Sequence, residues 1–121
     1  VYAVLYFAAG IMVVYAQDYA REFYKDVAGG MNPIALFFFQ FGRGIAWALM
    51  ALPLLASQST SVWERSNALG AAFAVFVGAL LLYENPYMPG QMRMLHLVEI
   101  SISDFLFGLA AGYLLTRLVR R

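Results

Sequence analysis

Between Arg93 and Arg121 the chain reads RMLHLVEISISDFLFGLAAGYLLTRLVRR. As a helix this stretch is long enough to cross a bilayer, which takes ~20 residues. Its first half nevertheless carries His96, Glu99 and Asp104. A segment that enters lipid must satisfy its own backbone, so it is helical, and its acids need compensation from neighbouring elements.

The composition agrees with lipid as the solvent. Of 121 residues, 63% are hydrophobic and 12% charged, with a mean hydropathy of +0.70. A soluble domain is about half apolar and a quarter charged. The net charge of +1 gives no field for nucleic acid, and no basic patch with interleaved aromatics lies outside the apolar runs. Cysteine is absent, which excludes disulfides, thiolate chemistry and cysteine-based metal sites. The chain opens at Val1 inside an apolar run, without the charged start and small-residue cleavage site of a signal peptide. The reading is a first span that has lost its leading residues.

Four spans are expected, at about 1–17, 33–56, 62–83 and 91–118, with an amphipathic surface connector at 18–28. Tyr15, Tyr19, Phe23 and Tyr24 fit anchors at the headgroup level. In the connector Tyr19, Phe23 and Val27 recur at i+4 as an apolar stripe, and Asp18–Arg21 and Glu22–Lys25 can pair at i+3. A solvated connector is the simpler reading; a ligand-binding lid is the alternative. Gly29-Gly30 should stop it. Asn32-Pro33 is a helix start, with asparagine as cap and proline at the first helical position. Pro53 should kink the far end of span two. After a loop at 57–60, Ser61-Val62-Trp63-Glu64 fits a capping box. Span three repeats small residues at Gly70, Ala74 and Gly78, and span four at Gly108 and Gly112. Small residues let helix backbones approach closely in lipid, so these are helix-packing faces. The turn ENPYMPGQ, Glu84 to Gln91, stops span three and launches span four. Arg117, Arg120 and Arg121, with Arg65, favour a cytoplasmic location for both termini, although Arg21, Lys25 and Arg93 lie opposite. No repeat relates the two halves, which argues against an inverted-repeat transporter within one chain.

The candidate site is an intramembrane polar cluster. Spans two and four start from the same side. Arg43 stands about ten residues past Pro33, and Glu99 about ten past Pro89, or about 15 Å deep for each at ~1.5 Å per residue. Arg93, His96, Glu99 and Ser103 share one broad face of span four, with Asp104 at its edge and about one turn deeper than Glu99. A guanidinium in hydrocarbon needs a partner, so Arg43 is expected to contact Glu99 or Asp104, and Gln40, one turn earlier, to add a hydrogen bond. The cluster then serves either as a structural ion pair or as a polar pocket or ion path. Ser103 and Asp104 are sequence neighbours and point apart on a helix, so they are no catalytic pair. Zinc-hydrolase, serine-hydrolase and phosphate-loop motifs are missing, and no enzyme is expected. His96 is the only histidine, which is poor spacing for a metal or for haem. Met88, Met92 and Met94 read as gap-fillers.

Three stretches resemble a pattern in small uncharacterised bacterial polytopic membrane proteins. They are Asn85-Pro86-Tyr87-Met88-Pro89, Leu95-His96-Leu97-Val98-Glu99 and Asp104-Phe105-Leu106-Phe107-Gly108. Phe41-Gly42-Arg43-Gly44 is similar to the same group. The resemblance covers about the last two-thirds of the chain and implies a membrane location and helical architecture, with no activity attached.

The expectation is an all-α integral membrane four-helix bundle that works as a structural or accessory subunit of a membrane assembly. Its partners would be the lipid bilayer and other membrane subunits or itself, with no cofactor. The alternatives are a small oligomeric transporter or channel using Arg43, His96, Glu99 and Asp104, and a subunit that binds haem or chlorophyll through His96.

Overall fold

The computed structural model describes residues 1–28, 32–56 and 61–119. The Gly29-Gly30 stop, the 57–60 loop, Arg120, Arg121 and the side chain of Val27 lie outside the described residues. Five α-helices follow in order: α1 Tyr2–Ala16, α2 Asp18–Ala28, α3 Pro33–Ala56, α4 Val62–Ala79 and α5 Gly90–Val119, with a 3₁₀ turn at Leu80–Leu82 after α4. Three helical stretches are long and apolar enough to cross a membrane, and α1 with α2 makes a fourth if the bent pair counts as one.

The helix boundaries follow from local chemistry. α1 breaks at Gln17, whose backbone is extended, and α2 leaves at 114° to it. The side chain of Asn32 accepts from the Ile34 N–H at 2.9 Å, capping α3. At α4 the capping box is complete: Ser61 Oγ accepts from the Glu64 N–H, and Glu64 Oε2 accepts from the Ser61 N–H at 2.8 Å. Before α5, the side chain of Asn85 accepts from the Tyr87 N–H at 2.9 Å and closes the turn. Pro53 lies inside α3, which continues past it to Ala56.

Side-chain contacts fix the directions. Tyr2, at the start of α1, packs edge-on against Phe107 and lies against Gly44. Further along, Phe7 stacks on Phe37, and Val13 clusters with Met92. α1 is therefore antiparallel to α3 and α5, which run parallel to each other. The main core joins Tyr2, Ala51, Leu55, Leu69, Phe73, Phe107 and Ala111, with Phe73 stacked on Phe107 at 5.7 Å. A smaller cluster of Val13, Ala20 and Met92, with Phe23 and Tyr24 against it, seats α2 on the start of α5. This corrects the expected stripe on α2. Its buried face is Ala20, Phe23 and Tyr24, while Tyr19 stays exposed, because the bend at Gln17 turns a different face inward. Met92 is fully buried in this cluster and fills space between elements, whereas Met94 is exposed. Of the two i+3 pairs on α2, Arg21–Asp18 forms at 3.6 Å; no Glu22–Lys25 pair occurs among the described residues.

The most extensive helix contact is between the antiparallel α4 and α5. It depends on the small residues. A Cβ on Gly108 would lie 2.5 Å from the Cα of Gly70, and one on Gly112 would lie 2.7 Å from the Cα of Ser66. At the other end, a Cβ on Gly78 would meet Ser101 Oγ at 2.7 Å. Ala74 is half-buried on the same helix. The helix-packing faces are thus spent on each other within one chain. Gly108→Ala should lower stability by about 1–3 kcal/mol, because backbone rather than a side-chain tip must yield. Gly42→Ala, with nothing within 4 Å of the added methyl, should be neutral or slightly stabilising. Thermal melting in detergent compares the two; equal effects would mean that the α4–α5 contact is looser than described.

Candidate functional site

With α4 covering one face of α5, another carries the polar residues. Gly44 has no side chain, so Tyr2 seats directly against α3, where a Cβ would come within 2.6 Å of the Tyr2 Cβ. That contact brings the tyrosine ring beside Arg43, whose guanidinium lies 5.8 Å from the ring centroid. Such a placement is a cation–π interaction. Arg43, Tyr2, Tyr6, Glu99, Ser103 and Asp104 together line a chamber of about 30 Å³. That exceeds the ~10–15 Å³ a cavity needs to hold a water molecule, and the lining offers several polar partners for it.

The expected direct pair between Arg43 and an acid does not form. Among the described residues, the ion pairs within 4.0 Å are Arg21–Asp18 and His96–Glu99. The depth match of Arg43 with Glu99 agrees with the one chamber they share, and Asp104, expected about one turn deeper, lines it as well. The aromatic side chains of α1 also line it, however, and the guanidinium faces Tyr2. Glu99 is committed elsewhere: its Oε2 lies 2.6 Å from His96 Nδ1. Asp104 is 4% exposed, and its Oδ2 has no hydrogen-bond partner.

His96 is held at both nitrogens. Nδ1 meets Glu99, and Nε2 is hydrogen-bonded to the hydroxyl of Tyr24. With Glu99 ionised and the imidazole neutral, Nδ1–H donates to the carboxylate and Nε2 accepts from Tyr24. A second proton on the ring makes Nε2 a donor, and Tyr24 must then accept. The series Tyr24–His96–Glu99 therefore runs from α2 into α5 and ends at the chamber of Arg43 and Asp104. A cleft of about 230 Å³, lined among others by Tyr6, Tyr15, Tyr24, His96 and Glu99, leads to the same carboxylate. Since both ring nitrogens are engaged, a haem or chlorophyll iron or magnesium would have to break one of these bonds to be bound by His96.

Two members of the expected cluster have narrower roles. The Ser103 hydroxyl donates to the Glu99 carbonyl at 2.9 Å, with the Ile100 carbonyl at 3.3 Å, so its hydrogen is spent within the helix. Gln40 is 3% exposed, but its Oε1 has no hydrogen-bond partner, and it does not line the chamber. Arg93 turns away and donates to the Tyr83 carbonyl at 3.0 Å, bracing the turn before α5. Three tyrosines were not singled out from the sequence as site residues: Tyr2, Tyr6 and Tyr24. Nothing in their local pattern separates them from interface anchors; the bend at Gln17 and the gap at Gly44 put them there.

Comparison of the chain with protein-family models, curated proteins and solved structures yields no match. The site stands on its own geometry. Arg43 and Asp104 should be coupled across the chamber. Arg43→Met should destabilise the fold, and adding Asp104→Asn should recover part of the loss, with a coupling of about 0.5–3 kcal/mol in a double-mutant cycle. Strict additivity of the two melting shifts would show that the guanidinium and the carboxylate do not interact.

Proposed function

We propose that the chain is a four-span integral membrane protein, with both termini cytoplasmic, that takes up and passes a proton, as the working part of a small transporter or channel. The membrane assignment is supported by the exterior. Phe37, Phe38, Phe39, Phe41, Phe76 and Leu80 are all exposed, on helices of which a third or less is buried within the chain. Water is a poor solvent for such a surface, and lipid is a good one.

The observation that carries the proton reading is the charge count of the site. Two carboxylates, Glu99 and Asp104, stand against one guanidinium, Arg43, around one chamber. An uncompensated charge at that depth costs several kcal/mol, so the second carboxylate calls for a further positive charge. A proton supplies it. The His96–Glu99 bond and the Tyr24 hydroxyl give that proton a hydrogen-bonded route from the chamber towards α2. Service as an accessory subunit is a second reading, supported by the row of outward aromatic rings on α3. The small-residue faces support it less, since Gly70, Gly78, Gly108 and Gly112 serve the contact between α4 and α5.

Proteoliposomes loaded with a pH-sensitive dye test the proposal. Under an imposed membrane potential the protein should speed proton entry over empty vesicles. Glu99→Gln and Asp104→Asn should abolish the gain. His96→Phe should slow it on the order of 100-fold, the low end of what a positioned proton-transfer group contributes. Outside labelling of Tyr87→Cys in whole cells reads the orientation. Wild-type flux no faster than that of empty vesicles, or variants as fast as wild type, would refute the proton reading.

A further inference from the structure

Glu99 lines a second space as well. Between α1 and α5 lies a groove of about 260 Å³ whose walls are apolar, among them Leu5, Met12, Leu95, Val98 and Ile102. This is near the lower end of the ~300–1,000 Å³ typical of small-molecule sites. The polar side chains on its wall are Glu99 and Ser103. The Ser103 hydrogen is already donated to carbonyls of its own helix. The groove therefore offers a ligand no side-chain donor, and Glu99 is the one acidic residue on its wall. An anion finds only repulsion there, and a neutral polar molecule finds little to bond. An organic cation finds apolar walls for its body and a carboxylate for its charge.

We infer that this groove binds a lipophilic monovalent organic cation, with its charge at Glu99 in place of the proton. The inference rests on the charge count of the proposed proton site. The titratable and charged groups around Glu99 are His96 and Asp104 on α5, Arg43 on α3, Tyr2, Tyr6 and Tyr15 on α1, and Tyr24 on α2. Among them Arg43 offsets one carboxylate, and a single further positive charge completes the balance. A proton and an organic cation can each be that charge, but both together would leave the site with one in excess. Binding the cation thus breaks the O–H or N–H bond that holds the proton on the Glu99, Asp104 and His96 set. The proton leaves by His96 and Tyr24 to the open cleft, and the cation remains opposite the carboxylate. No oxidant, reductant or further reactant is involved.

The probe is benzyltrimethylammonium, which has no proton of its own to release. Its neutral isostere neopentylbenzene and the anion benzenesulfonate serve as controls. The purified full chain is titrated in detergent by calorimetry, and a pH indicator in weak buffer follows protons. Saturable binding of benzyltrimethylammonium with release of about one proton per cation is expected, together with no binding of benzenesulfonate. Glu99→Gln should weaken binding about tenfold or more and lose the proton release. If that variant does not fold, Ile102→Trp fills the groove and leaves the polar side chains in place. It should lose cation binding while keeping its helical melting transition. Three results would overturn the inference: no saturable binding, equal binding of neopentylbenzene, or binding without proton release. Failure here with proton flux intact removes the cation site alone. Proton release on binding without flux in vesicles keeps the cation site and removes the proton path.

Discussion

Two carboxylates and one guanidinium in apolar surroundings are the constraint from which the rest follows. Glu99 and Asp104 face a chamber with Arg43. Their field cannot be screened by solvent as it would be on a soluble surface, so each charge has to be met locally. The protein meets them in different ways. Glu99 is hydrogen-bonded to an imidazole nitrogen; Arg43 lies against a tyrosine ring; Asp104 has an oxygen without a partner among the described residues. That distribution is uneven in the way a site for a movable charge would be.

The scaffold makes the arrangement possible by dividing the faces of α5. Leu97, Ser101, Phe105, Gly108 and Gly112 meet α4, where the absence of side chains at the glycines draws the backbones together. His96, Glu99 and Ser103 are left for α1 and α2. α1 reaches the polar face through Gly44, whose missing Cβ gives Tyr2 its place beside Arg43. α2 reaches it through Tyr24, because Ala20, Phe23 and Tyr24 pack on the start of α5. Changes at a packing glycine and at a polar residue therefore bear on different contacts of one helix.

Much of this was legible in the sequence, and the part that was not has a physical reason. Caps and breakers act over a few residues, so Asn32-Pro33, the Ser61 to Glu64 box and the proline turn before α5 could be read directly. Depth could be read too, because helical rise is constant: it brought Arg43 and Glu99 to one level and put Asp104 about one turn deeper. What could not be read was rotation and close approach. The rotation of α2 after Gln17 decides whether Tyr19 or Tyr24 faces inward, and the i+4 stripe of Tyr19, Phe23 and Val27 pointed to Tyr19. The approach of Tyr2 depends on a single glycine on another helix. Consequently the sequence pointed to an Arg43–carboxylate pair, while the fold puts an aromatic ring against the guanidinium and gives Glu99 to His96.

On the proposed reading, one resident positive charge besides Arg43 balances the site, and in the absence of other ligands it is a proton. Infrared difference spectroscopy of the ligand-free protein in bilayers at neutral pH tests it most directly. Glu99→Gln and Asp104→Asn assign the carboxyl bands, and isotope-labelled histidine assigns the imidazole. The account predicts about one proton shared among His96, Glu99 and Asp104 beyond the single hydrogen of the neutral imidazole, seen as a carboxylic acid or an imidazolium band. Two ionised carboxylates beside a neutral imidazole would contradict it.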